Sequence, residues 1–360
     1  MLLADFGADV IAVERPETPA FDPAKYLSRG KRSVIVDLRS PRGADVIARL
    51  ADTCDVLLES NRPGTLERRG LGPEVLCARN PRLIYTRLTG WGQDGPYSAS
   101  AGHDINYTAV AGTLGVIGDA TPVPPLAMVG DLAGGSLTTA LGIMVALFER
   151  TVTGKGQVID AAIADGSALL NITQLAELNA GLWPGRGQHL LSGTAPFYGV
   201  YACSDDRFFA IGAIEAKFYT RFLNALGIND IDPARQMDPT SWPALRRRVA
   251  DVFVSKPRSH WSAVFADIDG CGSPVLELDE LADDPHLRAR GTILRTASAS
   301  VTPAPAPRLS RTPARIRPEP IARGAHTRAV LGEAGFDDDE IDGLAADGTV
   351  APVEQKPDVD

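Results

Sequence analysis

A histidine and a carboxylate, each close to glycine, carry the chemistry for which this sequence can be read. His103 stands in the run Gly102-His103-Asp104-Ile105-Asn106-Tyr107, and Asp131 follows 28 residues later in Val129-Gly130-Asp131-Leu132-Ala133-Gly134-Gly135. An imidazole titrates nearest neutrality, so it accepts and returns protons readily. Inverting a carbon centre takes one proton acceptor and one donor on opposite faces, both within hydrogen-bond reach. The pair is therefore a candidate two-base site. Each residue also has a plainer reading. A histidine in a loop satisfies structural hydrogen bonds, and an aspartate at a helix start is a common N-cap. For Asp131 the two roles are compatible. The same helix start offers free N–H groups and a positive dipole end, which stabilise a developing oxyanion.

Glu215 ends an otherwise apolar stretch, Gly212-Ala213-Ile214-Glu215. It reads either as a solvated strand-end charge or as a group that orients His103 from a second domain or subunit. Several of Arg15, Lys31, Arg32, Arg39, Arg62 and Arg68 lie at or just past predicted strand ends, where parallel sheets bind ligands. Singly they are surface charges; as a set they point to a phosphate site, since guanidinium groups bind phosphate bidentately. No Walker A motif and no strand-borne GxGxxG is present, so a nicotinamide site has no support. The turn-rich Gly90-Trp91-Gly92-Gln93-Asp94-Gly95-Pro96 reads as a pocket wall or a connection.

The elements that must hold these groups follow from periodicity. Apolar, β-branched stretches at 9–14, 33–37, 55–59 and 83–88 alternate with helical stretches at 42–51 and 73–80. That is the spacing of a parallel α/β sheet. Residues 1–7 read as the tail of a helix, so the chain opens inside a helix where such a sheet normally opens with a strand. A long helix rich in small and apolar residues, expected to be buried, starts at Asp131 and runs to about residue 150. Residues 158–162 begin another strand or helix. A second unit opens with strands at 198–203 and 208–213, joined by Ser204-Asp205-Asp206-Arg207, and continues with helices at 217–226, 242–255 and 259–267. Six prolines between 298 and 320 favour an extended connector. A last helix at 326–335 precedes an acidic run and a frayed tail. The expected division is a large domain at 1–178, a linker at 179–195, a small α+β domain at 196–297, and a return segment at 298–360.

With 360 residues, 44% hydrophobic and 22% charged, the chain is long enough for two domains of ordinary size. A net charge of −9 argues against a general nucleic-acid or anionic-membrane surface. No apolar run approaches a membrane span, and the first residues lack the basic start of a secretion signal. Cys54, Cys77, Cys203 and Cys271 are scattered without metal-binding spacing, which fits free thiols in the cytoplasm and no metal site.

These segments resemble the α-methylacyl-CoA racemases within the family III CoA-transferase superfamily, across nearly the whole chain. Gly7-Ala8-Asp9-Val10-Ile11-Ala12-Val13-Glu14-Arg15-Pro16 is similar to the superfamily's second-strand signature. Asn61-Arg62-Pro63-Gly64, Leu66-Glu67-Arg68-Arg69-Gly70-Leu71-Gly72, Gly154-Lys155-Gly156-Gln157 and Ala195-Pro196-Phe197-Tyr198 match further motifs. The Gly102–Tyr107 run resembles the racemase branch, because transferases usually carry another residue where His103 stands.

The resemblance implies His103 and Asp131 as the two acid/base residues and Glu215 as a support for the histidine. It implies coenzyme A contacts on Arg15, Val36, Asp37, Leu38, Arg39, Ser60, Asn61, Arg62, Arg68, Gly102, Asp104, Ile105, Asn106 and Tyr107. It further implies a Rossmann-like large domain with a smaller one, an interlocked homodimer, an acyl-CoA thioester substrate from lipid metabolism, and no separate cofactor. Superfamily members carry a strand and a Gly/Pro-rich loop ahead of the position of Met1. The expectation here is a sheet without that strand, best explained by a misassigned start codon. The competing expectations are a CoA transferase with Asp131 as nucleophile, and an inactive chain that lacks its first strand.

Overall fold

The computed structural model describes residues 1–17, 27–296, 300–316 and 321–351. The chain begins with α1 (Leu2–Asp5), β1 (Val10–Glu14), β2 (Lys31–Ile35), α2 (Gly43–Thr53), β3 (Val56–Glu59), α3 (Pro73–Arg79) and β4 (Ile84–Thr89). There follow α4 (Asp104–Val110), α5 (Thr113–Val116), a π-helical segment (Met128–Leu137) continuous with α6 (Thr138–Thr153), β5 (Val158–Ala162), α7 (Ile163–Leu169) and α8 (Ile172–Asn179). Next come β6 (Tyr198–Ala202), β7 (Phe208–Gly212), α9 (Ala216–Ala225), α10 (Trp242–Phe253), α11 (Arg258–Ala266) and β8 (Gly272–Pro274). The chain closes with α12 (Pro285–Arg290), β9 (Ile293–Arg295), β10 (Val301–Pro303), α13 (Thr327–Glu333) and α14 (Asp338–Ala346).

These elements form two compact units. One comprises Met1–Tyr107, Met128–Ser167 and His286–Asp360; the other comprises Thr108–Ala127 and Ala168–Pro285. The second unit thus starts earlier than the sequence division at 178 and 196, and it takes in a short insertion from the first half of the chain.

In the first unit β1 to β5 are parallel, as the alternation of strand and helix requires. They form two ladders, β1–β2 and β3–β4–β5. Among the described residues, β1 pairs only with β2 and β3 only with β4. Val34, Ile35, Ile84 and Tyr85 are almost wholly buried, in keeping with strands covered by helices. Helix α2 serves two apolar clusters. Its Val46 and Leu50 pack with Val330, Leu331, Ile341 and Leu344 of the C-terminal helices. Its Ala48 and Ala51 pack with Leu71, Leu76, Leu83 and Tyr85.

The C-terminal return is more ordered than a frayed tail. Asp337 accepts from the Glu340 N–H and Glu340 accepts from the Asp337 N–H, a reciprocal capping box that starts α14. The chain then returns to β2: Val350 bridges Val36, and the Asp37 N–H donates to the Thr349 carbonyl at 2.8 Å. The acidic run is this helix's N-cap and first turn, where it meets the positive dipole end. Within the proline-rich stretch, β10 pairs antiparallel with β9; residues 297–299 and 317–320 lie outside the described residues.

The long helix departs from expectation in two ways. It begins at Met128 rather than Asp131, and it is not buried all round. Thr139, Ile143, Ala146 and Arg150 face the first unit's interior, whereas Leu137, Leu141, Val145, Phe148 and Val152 are 54–80% exposed. Counted as one helix, Met128–Thr153 is long and apolar enough by length and composition to cross a membrane, a property hidden in the sequence by its interspersed glycines, threonines and Asp131.

The second unit is built on an antiparallel sheet in the order β6–β7–β8. The β6–β7 turn is closed by a hydrogen bond from the Cys203 N–H to the Arg207 carbonyl, with Asp206 in the left-handed region at φ 56°. Its core is aromatic: Phe197, Phe209, Phe222, Val249 and Phe253 are fully buried. The stretch 179–195, expected as a linker, is pinned within this unit. The Arg186 guanidinium donates to the carbonyls of Gly115, Asp119 and Ala120, and His189 hydrogen-bonds Glu177 through Nε2 at 3.1 Å. Its glycines make turns there rather than a free tether.

Candidate active site

His103 occupies the residue before α4. Its N–H is taken by the Asn106 side chain at 3.1 Å, and its carbonyl accepts from the Asn106 N–H at 2.8 Å. Asn106 therefore fixes the loop backbone around His103 in the manner of a helix cap. The imidazole itself is exposed.

Tyr107 holds this loop from the other side. Its hydroxyl donates to the Gly102 carbonyl, and its ring meets Trp91 edge-on at 4.8 Å. The ring runs so close to Gly102 that an added Cβ there would lie 2.6 Å from Tyr107 and 3.2 Å from Trp91. Glycine precedes the histidine because no side chain fits.

Asp131 sits in the first turn of the π-helical segment. It is not the N-cap that its position suggested: its own N–H donates to Asp104 Oδ1 at 2.7 Å. Asp104, next in sequence to His103, is thus the side chain that satisfies this end of the long helix. Two features keep the segment wide. Ser136 donates to the Asp131 carbonyl at 2.9 Å, and Thr139 donates to the Gly135 carbonyl at 2.7 Å. Such back-bonding widens a helical turn. The segment also lies directly on the backbone at the start of α7, where a Cβ on Gly166 would come 1.8 Å from the Gly134 carbonyl oxygen.

The electrostatics tie the groups together. Burial, then the negative charge of Asp104, push the Asp131 carboxyl above the usual carboxylate range, while His103 pulls it back. Burial, then Asp131, raise the Tyr107 phenol, and Arg62 lowers it. The same charges act on one small space.

That space is a cavity of about 370 Å³ in the first unit, lined by Ser60, Arg62, Pro63, Thr89, Gly90, Trp91, Ser98, Ser100, Ala101, Gly102, His103, Asn106 and Tyr107. Of the residues singled out in the sequence, the fold brings Ser60, Arg62, Gly102, His103, Asn106 and Tyr107 onto it. Asp104 and Asp131 meet each other behind them, and Asn61 is held through its N–H by Glu59 at 2.6 Å.

The others lie away from the cavity wall. Val36 is buried in the core at 2% exposure, and Asp37 pairs with Arg39 at 2.9 Å. Arg15 and Ile105 are exposed, Leu38 is half-buried, and Arg68 contacts Thr65 at 3.4 Å. Glu215 does not end a strand: β7 stops at Gly212, and Glu215 is the residue before α9, its carbonyl accepting from Phe218 and Tyr219 at 2.9 Å.

The sequence reading named no role for Trp91, although its turn-rich loop was noted as a possible wall. Trp91 contributes an indole N–H that is buried with no hydrogen-bond partner in the protein. Arg87, inside the apolar stretch of β4, was also passed over. A cation within a buried strand was the signal for it.

Comparison with known proteins agrees with this architecture. The chain is 45% identical over 352 residues to the alpha-methylacyl-CoA racemase of Homo sapiens, covering 96% of this chain and 91% of that protein. It is 33% identical to the succinyl-CoA–D-citramalate CoA-transferase of Chloroflexus aurantiacus, over 96% of this chain and 92% of that one. A crystal structure of a CAIB/BAIF family protein from Brucella suis superposes with a TM-score of 0.81 at 27% identity, covering 92% and 93% of the two chains. The model of CoA-transferase family III matches residues 1–327. The chain belongs to CoA-transferase family III.

Proposed function

We propose that this chain interconverts the (R) and (S) forms of 2-methylacyl-CoA thioesters by 1,1-proton transfer. The observation that carries the reading is the shared environment of His103 and Asp131. A solvent-accessible imidazole lines the cavity, and it acts electrostatically on a carboxyl behind that wall whose proton affinity is raised by burial. The 45% identity to a racemase supports it independently.

In this reading one group removes the α-proton and the other returns a proton to the opposite face. His103 serves one enantiomer and Asp131 the other. The thioester oxygen gathers negative charge in between, and the positive dipole end at the start of the π-helical segment suits that charge. The raised proton affinity of Asp131 suits a donor, because it narrows the gap to the weakly acidic carbon. The reaction moves only protons, so it calls for no metal or redox group. Glu215 is proposed to orient the imidazole, and Arg15, 36–39, Asn61 and Arg68 to complete the coenzyme A site with Ser60 and Arg62. The exposed apolar face of α6 supports a homodimer. The four free cysteines suit a reducing, cytoplasmic setting.

Proton NMR of a 2-methylacyl-CoA in deuterated water tests the proposal. The wild-type chain exchanges the C2 hydrogen, and His103→Ala and Asp131→Ala each slow exchange by about 10²–10⁴-fold, the usual worth of a positioned acid or base. A second reading, CoA transfer through an aspartyl-CoA thioester on Asp131, has the 33% identity to a transferase behind it. Trapping a CoA adduct on Asp131 together with absent C2 exchange would replace the first reading with the second.

A further inference from the structure

Three charges meet beneath the wall of the cavity. Arg87 on β4 faces its register partner Glu59 at the end of β3, Nε to Oε1 at 3.3 Å. The same guanidinium reaches Glu67 through its other end at 2.7 Å. Arg87 and Glu59 are each 8% exposed, while the Glu67 side chain is 38% exposed. Glu59 and Glu67 flank the loop 60–66, which contributes Ser60, Arg62 and Pro63 to the cavity. One buried cation therefore ties down both ends of one loop. The free oxygen of Glu59 adds a third tie by accepting the Asn61 N–H at 2.6 Å, and Leu66 anchors the loop's far end in the core at 6% exposure.

A buried ion pair is weak evidence for stability, because desolvation offsets most of the attraction. What this one does is geometric and electrostatic. It fixes where the loop starts and ends. It also engages the carboxylates of Glu59 and Glu67 on the loop that carries Arg62 and Arg68, and among the described residues neither of those arginines makes an ion pair. They stay available to an anion.

We infer that Arg87, with Glu59 and Glu67, is a positioning group that holds the loop 60–68 in the shape that receives the phosphorylated part of a coenzyme A thioester. This role rests on the function proposed above. Arg87 touches no reacting atom; it acts through Ser60, Arg62 and Arg68.

Glu67→Gln separates position from charge. Removing a carboxylate makes the surface more positive, so charge alone predicts tighter binding of an anion. Loss of the clamp predicts the reverse. With coenzyme A as the probe in isothermal titration, Glu67→Gln is expected to raise the Kd by about tenfold, the worth of one charge-assisted hydrogen bond. The KM for a 2-methylacyl-CoA rises in parallel, and kcat stays within about twofold because no transition-state contact is lost. Arg87→Lys keeps the charge but loses the two-ended reach, and it shifts Kd and KM in the same direction.

Unchanged or tighter coenzyme A binding by both variants, with only a fall in Tm, would reduce the triad to a structural brace and overturn the inference. The wild-type titration separates the two levels. No binding by the wild type removes the functional proposal and this role with it, whereas normal wild-type binding with unaffected variants removes this role alone.

Discussion

The N–H of Asp131 donates to Oδ1 of Asp104 at 2.7 Å, so the residue beside His103 in sequence directly contacts the second candidate base. Two carboxylates are thereby held close, and the charge of Asp104 makes the ionisation of Asp131 harder. Asp104→Asn keeps an oxygen for the N–H and drops the charge. The Asp131 carboxyl, raised by burial and then by Asp104, must fall. In the direction where Asp131 acts as base, its ionised form is required, so the acid limb of the pH–rate profile moves to lower pH. A limb that stays in place, measured by C2 exchange from each enantiomer, would show that Asp131 does not set it.

The same shift has a consequence for stability. The raised carboxyl binds its proton more tightly in the folded chain than in the unfolded one. Stability therefore falls as pH rises from the unfolded carboxylate range through the folded pKa of Asp131. Asp131→Asn should give a chain with a higher Tm than wild type at neutral pH and no advantage below the carboxylate range, while C2 exchange is lost. Thermal melts at pH 3.5 and 7 test this.

Gly166→Ala should damage the site without touching it. Its Cβ would lie 1.8 Å from the Gly134 carbonyl oxygen, and backbone atoms on both sides leave no flexible group to yield. Overpacking of this kind costs about 1–3 kcal/mol. The displaced π-helical segment carries Asp131, so exchange falls by more than the stability loss explains. Urea melts at unchanged m, read with exchange rates, separate the two effects.

The apolar face of α6 predicts self-association. Leu141 and Phe148 are 64% and 75% exposed, about two turns apart on one face of the helix. Light scattering on the purified chain should give twice 38.1 kDa at micromolar concentration, and Leu141→Asp with Phe148→Asp should give the monomer mass. A wild-type chain of monomer mass would remove the dimer from the proposal.

The capping box of α14 gives a change remote from the chemistry. Asp337→Ala loses the bond to the Glu340 N–H and should cost about 1 kcal/mol, with exchange activity kept. Chemical denaturation and the NMR assay on one preparation check both halves.

Strand and helix alternation in the first ninety residues was legible because buried parallel strands are short, apolar and bounded by turns. His103 and Asp131 could be singled out as candidate chemistry because glycines and a helix start flank them. The contact between Asp104 and Asp131 was not legible, since a separation of 27 positions says nothing of which carboxylate caps which helix. Helix α14 was missed because the acidic run was given no element of its own and the residues after it read as a frayed tail, although Asp337 and Glu340 carry the spacing of a capping box. The exposure of α6 was misread for a different reason. A helix apolar on all sides looks the same in sequence whether its second face meets its own chain or something else. Arg87 was overlooked because a single charge in a strand has no periodicity to announce it; only the fold shows that Glu59 and Glu67 converge on it.

Among the described residues the two parallel ladders of the first unit share no main-chain hydrogen bond, yet Ile47 of α2 and Leu38 after β2 each pack against both apolar clusters. Cohesion between the ladders therefore draws on apolar side chains, a force that weakens on cooling. Chilling should loosen the join between the ladders before it loosens either ladder, which makes the cold room a harsher place for this chain than the bench.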